Sequence, residues 1–154
     1  MLYRIALNFF HNTHIAEEIT QDVFLKLHEN LHLMESEAHA ASWLRRAATH
    51  RCIDLMRKRS HLNEETREAL PDVGSELEDD DPLLREHLRR LIAALPEAQR
   101  AVVVLRYGED LNSEEIGEML GMPAATVRSH LQRALATLRQ LAPRALGRVF
   151  DGSV

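Results

Sequence analysis

The chain has 154 residues, 45% hydrophobic and 28% charged, a globular balance that excludes fibrous, collagenous and wholly disordered readings. A single cysteine, Cys52, excludes an intrachain disulfide and a four-thiolate zinc site. The net charge of −5 divides unevenly: residues 1–60 carry 8 basic and 7 acidic side chains, residues 61–87 carry 2 and 10, and residues 88–154 carry 9 and 7. The acidity therefore sits in the middle, between two mildly basic ends, and the overall sign does not argue against nucleic acid.

The N-terminus lacks a basic stretch followed by an apolar run of about 7–15 residues, so no signal peptide is expected. No run approaches about 18 consecutive apolar residues, so no membrane insertion is expected either. The expectation is a cytoplasmic protein.

The first segment reads as three helices. Leu2, Ile5, Ala6 and Phe9 recur at helical spacing, and Ile15, Ile19, Val23, Leu27 and Leu31 do so again. Asn12-Thr13 between them supplies an N-cap for the second helix. After a break around Leu33 to Glu37, a third helix runs from Ser36 or Ala38 to Arg59. Ala40, Leu44, Ala48, Cys52 and Leu55 share one face of it. Its basic tail, Arg57-Lys58-Arg59, suits the negative end of a helix dipole.

Residues 61–82 read as an acidic linker with Pro71, Gly74 and the self-repelling run Glu78-Asp79-Asp80-Asp81. Asp81-Pro82 then has the form of an N-cap and first-turn pair. Residues 83–145 read as four short helices. One covers Leu83 to Ala94, and the second opens at Pro96 and ends near Tyr107-Gly108. The third runs from Asn112 to Leu120, with Asn112 and Glu115 at capping-box spacing. Gly121 ends it, and the fourth runs from Pro123 to Leu141. No segment alternates at period two. The fold class is all-α: two small helical domains joined by an acidic flexible linker. Domains this small bury only about 60% of their unfolded surface, so part of the apolar surface is expected to meet a partner.

The stretch from Asn112 to Ala136 has helix-turn-helix spacing. Gly117 is small enough for a close helix crossing, and Ile116, Leu120, Val127 and Leu131 fill the wedge. Thr126, Arg128, Ser129, Gln132 and Arg133 then point outward, a set suited to major-groove edges and phosphates. The bland alternative is a helical hairpin with a solvated basic face.

Two N-terminal stretches extend this. Residues 16–27, AEEITQDVFLKL, resemble region 2.2 of the extracytoplasmic-function (ECF) sigma factors of bacterial RNA polymerase. Residues 43–48, WLRRAA, with Asp54-Leu55-Met56-Arg57-Lys58 resemble their regions 2.3 and 2.4. Leu95-Pro96-Glu97, Val104-Leu105-Arg106-Tyr107, Glu114-Glu115-Ile116 and Thr126-Val127-Arg128-Ser129 resemble region 4. The matches fall in family order.

The resemblance implies a transcription initiation factor without catalysis of its own, and no cofactor or metal. Its partners would be bacterial core RNA polymerase, promoter DNA and an anti-sigma factor. Residues 1–60 would dock on the polymerase clamp and meet the minus-ten element, and residues 83–145 would meet the flap and the minus-thirty-five element. Glu18, Gln21 and Asp22 match the polymerase-binding positions. Met34, Trp43, Arg46, His50, Arg57 and Lys58 match minus-ten positions, and Thr126, Arg128, Ser129, Gln132 and Arg133 match minus-thirty-five positions. Trp43 fits base stacking and core packing equally by its spacing.

The chain departs from the pattern in several places. Met34 stands where the family often has an aromatic, and His50 where an asparagine is frequent. Glu35 and Glu37 in the same loop would repel phosphate. The first helix starts abruptly at Met1-Leu2-Tyr3 where the family has further helix, so a truncated or misassigned start, with a weakened first core, is an expectation. For the linker, two roles stand side by side: a stand-in for nucleic acid in a basic channel, or a spacer.

Two competing readings remain. One is a stand-alone helix-turn-helix regulator. The other is a zinc peptidase, because His28-Glu29-Asn30-Leu31-His32 matches H-E-x-x-H. Against the second, the extended pattern finds Glu35 and Ala38 where glycine and histidine belong, and the motif straddles an expected helix end. The remaining histidines are dispersed. Cys52 lies on an apolar face and is expected to be buried and inert.

Overall fold

The computed structural model describes residues 1–62 and 82–141. The acidic run, Asp81 as an N-cap and the residues after Leu141 lie outside the described residues. Among the described residues seven α-helices run in order: α1 (Leu2–Phe10), α2 (Thr13–Glu29), α3 (Glu37–Leu62), α4 (Pro82–Ala93), α5 (Glu97–Val103), α6 (Ser113–Leu120) and α7 (Ala124–Leu141). A 3₁₀ turn, Leu31–Leu33, follows α2, and a π-helical turn, Val104–Gly108, continues α5. Among the described residues there is no strand, and no helix is long and apolar enough to cross a membrane.

Local chemistry sets the helix starts and stops. The Asn12 side chain accepts from Ile15 N at 3.1 Å and opens α2. Ser36 Oγ accepts from His39 N at 3.1 Å and opens α3. In α6 the capping box closes in both directions: Glu115 N donates to Asn112 Oδ1 at 2.9 Å, and Asn112 N donates to Glu115 Oε2 at 2.8 Å. Gly121 ends α6 at φ 67°, the left-handed region where a Cβ is costly.

The expected apolar faces are buried along α1 and the first part of α2, while Leu27, Ala40, Leu44 and Leu55 are only half-buried, and one residue is a correction. Leu2, Ile5, Ala6, Phe9, Ile15, Ile19 and Val23 are all buried, but Leu31 is 57% exposed. Helix α2 stops at Glu29, so Leu31 enters the 3₁₀ turn and leaves the apolar stripe. Helix α3 runs three residues past Arg59, to Leu62.

Two hydrophobic clusters result. The first joins α1, α2 and α3 through Phe9, Ile19, Val23, Ala48, Cys52 and Met56. The second joins α4 to α7 through Leu91, Leu95, Ile116, Val127, Leu135 and Leu138. They are not separate. Ala101 and Val104 belong to the first cluster, while Val102, Val103 and Leu105 belong to the second. The run Ala101–Leu105 is buried on every side because α5 and the π turn lie between the two cores. Helix α1 packs on the π turn and on α4, and α3 packs on α5.

Candidate nucleic-acid and polymerase interface

The helix-turn-helix is built by α6 and α7, which pack closely. A Cβ at Gly117 would lie 2.6 Å from the Met122 carbonyl oxygen and 3.4 Å from Ala124 N, so only glycine permits the crossing. Ile116, Val127 and Leu131 are buried in the wedge, and Leu120 packs against it. The opposite face of α7 leaves Arg128, Ser129, Gln132 and Arg133 exposed. Thr126 is half-buried at the entry. Arg128 Nη1 lies 3.3 Å from Glu114 Oε1, an ion pair across two exposed side chains. Such a pair is weak and solvent-screened, and a phosphate can displace it. Ser129 Oγ donates to the Ala125 carbonyl at 3.1 Å.

The acidic face of α2 already has a partner in the chain. Arg51 of α3 donates to Asp22 Oδ2 from Nη2 at 2.9 Å and from Nε at 3.1 Å, and Glu18 lies 3.9 Å away. Gln21 is exposed with no such tie among the described contacts. Beside this face stand Phe24 and Leu25, 52% and 65% exposed, and then Leu31 and Leu33 on the 3₁₀ turn. Sequence reasoning placed Leu31 on the buried stripe and did not single out Phe24, Leu25 or Leu33 as exposed. The available signal was that Phe24 and Leu25 fall off the Ile15-Ile19-Val23 stripe yet are apolar.

The residues matched to the minus-ten element fall into two groups. Met34 caps the 3₁₀ turn, half-buried, and Trp43 packs, half-buried, against the first core. Arg46, His50 and Arg57 on α3 point the other way, toward the C-terminal half. Arg46 Nη2 donates to the Glu118 carbonyl at 3.3 Å, and His50 Nε2 lies 3.0 Å from the Met119 carbonyl. Arg57 Nε donates to Glu97 Oε1 at 2.8 Å. Lys58 is exposed.

Further ties cross the same boundary. Arg100 Nη1 donates to the Phe9 carbonyl at 3.1 Å, and burial lowers this guanidinium to about 10, still charged at neutral pH. His11 Nε2 lies 2.6 Å from Glu86 Oε1, and this hydrogen bond holds the Glu86 carboxyl below its ordinary value. The peptidase motif is broken as its spacing predicted: His28 is on α2, and His32 is on the 3₁₀ turn beyond its end.

In class, this is a two-part helical protein with a helix-turn-helix whose second helix leaves a polar face exposed. Its residues 1–62 match the family described as sigma-70 region 2, and residues 85–138 match sigma-70, region 4. The ECF RNA polymerase sigma factor SigW of Bacillus subtilis is 30% identical over 153 residues, covering 90% of this chain and 81% of that protein. The ECF RNA polymerase sigma factor RpoE of Cereibacter sphaeroides is 36% identical, covering 81% of this chain and 71% of that one. The fold is similar, at a TM-score of 0.68 and 20% identity, to the sigma factor RpoE solved in complex with the anti-sigma factor NepR from Bartonella quintana, over 91% of this chain and 88% of that chain. The chain belongs to the ECF sigma factors, the initiation factors that direct RNA polymerase to promoters. The region 2 match over residues 1–62 is what a stand-alone helix-turn-helix regulator would lack.

Proposed function

We propose that residues 1–60 hold core RNA polymerase and the minus-ten element, and that residues 83–145 hold the minus-thirty-five element. Glu18, Gln21 and Asp22, with the exposed Phe24 and Leu25 beside them, form the polymerase-binding face. Polar groups there orient the partner while the apolar side chains supply buried area. Trp43, Arg46, His50, Arg57 and Lys58 on α3, with Met34 before it, form the minus-ten surface. Thr126, Arg128, Ser129, Gln132 and Arg133 on α7 form the minus-thirty-five surface.

The observation that carries this reading is the polarity of α7. Val127, Leu131, Ala134, Leu135 and Leu138 are buried on one face while both arginines and Gln132 are exposed on the other. The protein acts by binding, in the cytoplasm where RNA polymerase works, and makes no chemical bond of its own. An anti-sigma factor covering the α2 and α7 faces is a further partner, a reading supported by the family.

The test is retention of purified bacterial core RNA polymerase on the immobilised protein, followed by run-off transcription from a promoter library. Stable retention with promoter-selective transcripts is expected. Retention without selective transcripts would remove the promoter assignment, and a folded protein that retains no polymerase would remove the α2 face.

A further inference from the structure

Asp22 and Arg51 meet from two packed helices, α2 and α3. Each is anchored by buried neighbours: Ile19 and Val23 lie beside Asp22 on α2, and Cys52 follows Arg51 on α3. Their backbones are therefore fixed by the first core, and the side chains need only reach across one helix contact. Groups carried on packed helices hold their geometry better than groups on loops.

The contact is lopsided. Arg51 Nε and Nη2 lie 3.1 and 2.9 Å from the same oxygen, Asp22 Oδ2. An arginine fork commonly takes the two oxygens of a carboxylate with one nitrogen each. Here both nitrogens close on one oxygen, and Oδ1 accepts no bond among the described contacts. The Asp22 side chain keeps 37% of its surface, so a partner can reach the carboxylate. The same Nη2 lies 3.9 Å from Glu18 Oε1. Glu18 and Asp22 stand four residues apart on one helix face, where like charges repel, and a cation between them offsets that repulsion.

We infer that Arg51 is a positioning residue of the polymerase-binding face: it fixes the Asp22 carboxylate by Oδ2 and leaves Oδ1 to accept from a donor on the polymerase. The inference rests on the assignment of this face of α2 to polymerase made above. It adds a residue of α3 to a surface otherwise made by α2 alone. Docking then need not immobilise the Asp22 side chain, a cost that association otherwise carries. Arg51 does not compete for the carboxylate, because its fork leaves one oxygen to the partner.

The test measures the affinity of the full chain for purified bacterial core RNA polymerase. Wild type is compared with Arg51→Ala, Asp22→Ala, Gln21→Ala and the two double variants that contain Arg51→Ala. Asp22→Ala is expected to weaken binding about 10-fold and Arg51→Ala about 5-fold. Arg51→Ala with Asp22→Ala should match Asp22→Ala alone, because without Asp22 there is neither a carboxylate to hold nor a repulsion to offset. Gln21 has no tie to Arg51 among the described contacts, so Arg51→Ala with Gln21→Ala should show the product of the two single effects. Arg51→Lys keeps the charge without the fork and should stay weak.

Wild-type or tighter binding by Arg51→Ala, with Asp22→Ala weak, would overturn the inference. Equal coupling of Arg51 to Gln21 and Asp22 would overturn it too, since that pattern belongs to a general loosening of α2. Full recovery by Arg51→Lys would overturn the two-nitrogen clamp. Unchanged affinity in Asp22→Ala and Gln21→Ala would remove the α2 face itself, and the inference with it. If Arg51→Ala loses helix by circular dichroism, Arg51→Met, which keeps a long side chain and no donor, takes its place in the same comparison.

Discussion

Cys52 has no exposed surface and packs in the first core with Phe9, Ile19 and Ala48. Burial pushes its thiol from 9.0 up to about 12, against the pull of Arg51 and Arg100. In native protein at pH 8 it should resist iodoacetamide and react only in denaturant; labelling of the folded chain would show that the core opens locally. The same shift predicts an alkaline weakness. Between pH 9 and about 12 the unfolded chain has released the thiol proton and the folded chain has not, so stability falls as pH rises. The full window is worth on the order of 4 kcal/mol. Arg100 works in the opposite direction, because burial makes it release its proton first in the folded state. Guanidinium unfolding of wild type and Cys52→Ala at pH 8 and pH 11 separates the two, since only the thiol differs between the chains. The variant should lose less stability between these pH values, and parallel losses would count against the assignment. Gly117 is the other residue with a sharp consequence. Gly117→Ala places a methyl against backbone atoms of the turn that cannot yield alone. It should cost about 1–3 kcal/mol in thermal unfolding, and a smaller cost would mean that the turn flexes.

Individual helices were largely legible, because their signals are local. The period of α1, the caps of α2 and α6 and the glycine stop of α6 all follow from residues a few positions apart. The capping box predicts that Asn112→Ala lowers stability by about 1 kcal/mol, measured by denaturant midpoint. The exposed polar face of α7 was legible for the same reason. Arg128→Ala and Arg133→Ala should each weaken promoter binding while leaving retention of polymerase intact, and joint loss of both would point to misfolding. Less legible was where a pattern stops. Leu31 keeps the spacing of α2 but lies past its end, and Ala101–Leu105 reads as one apolar run without saying that it serves two cores. Least legible was the site's internal pairing. Glu109 meets Arg4 across 105 residues and Arg45 across 64, and no local spacing announces a contact of that range. The Arg51 clamp on Asp22 spans 29 residues and was equally invisible.

At the scale of the molecule, α5 and the π turn make the two halves interdependent. Ala101 and Val104 fill the first core while their chain neighbours fill the second, so neither cluster is complete without this element. Arg100 adds a bond from the same helix to the Phe9 carbonyl and a second to the Leu95 carbonyl at 3.1 Å. Removing either half would expose Val104 or leave Phe9 O unpaired, a loss that couples the stability of one core to the other. The halves should therefore unfold together. Scanning calorimetry should give a single transition whose calorimetric and van't Hoff enthalpies agree, although each half of the chain contributes its own hydrophobic cluster. Val104→Asp puts a charge into the first core from a residue that belongs to the second half of the chain. It should lower the melting of both halves if they are coupled, and melt α1–α3 alone if they are not. Two resolved transitions in the wild-type chain would show that the shared helix belongs energetically to one core only.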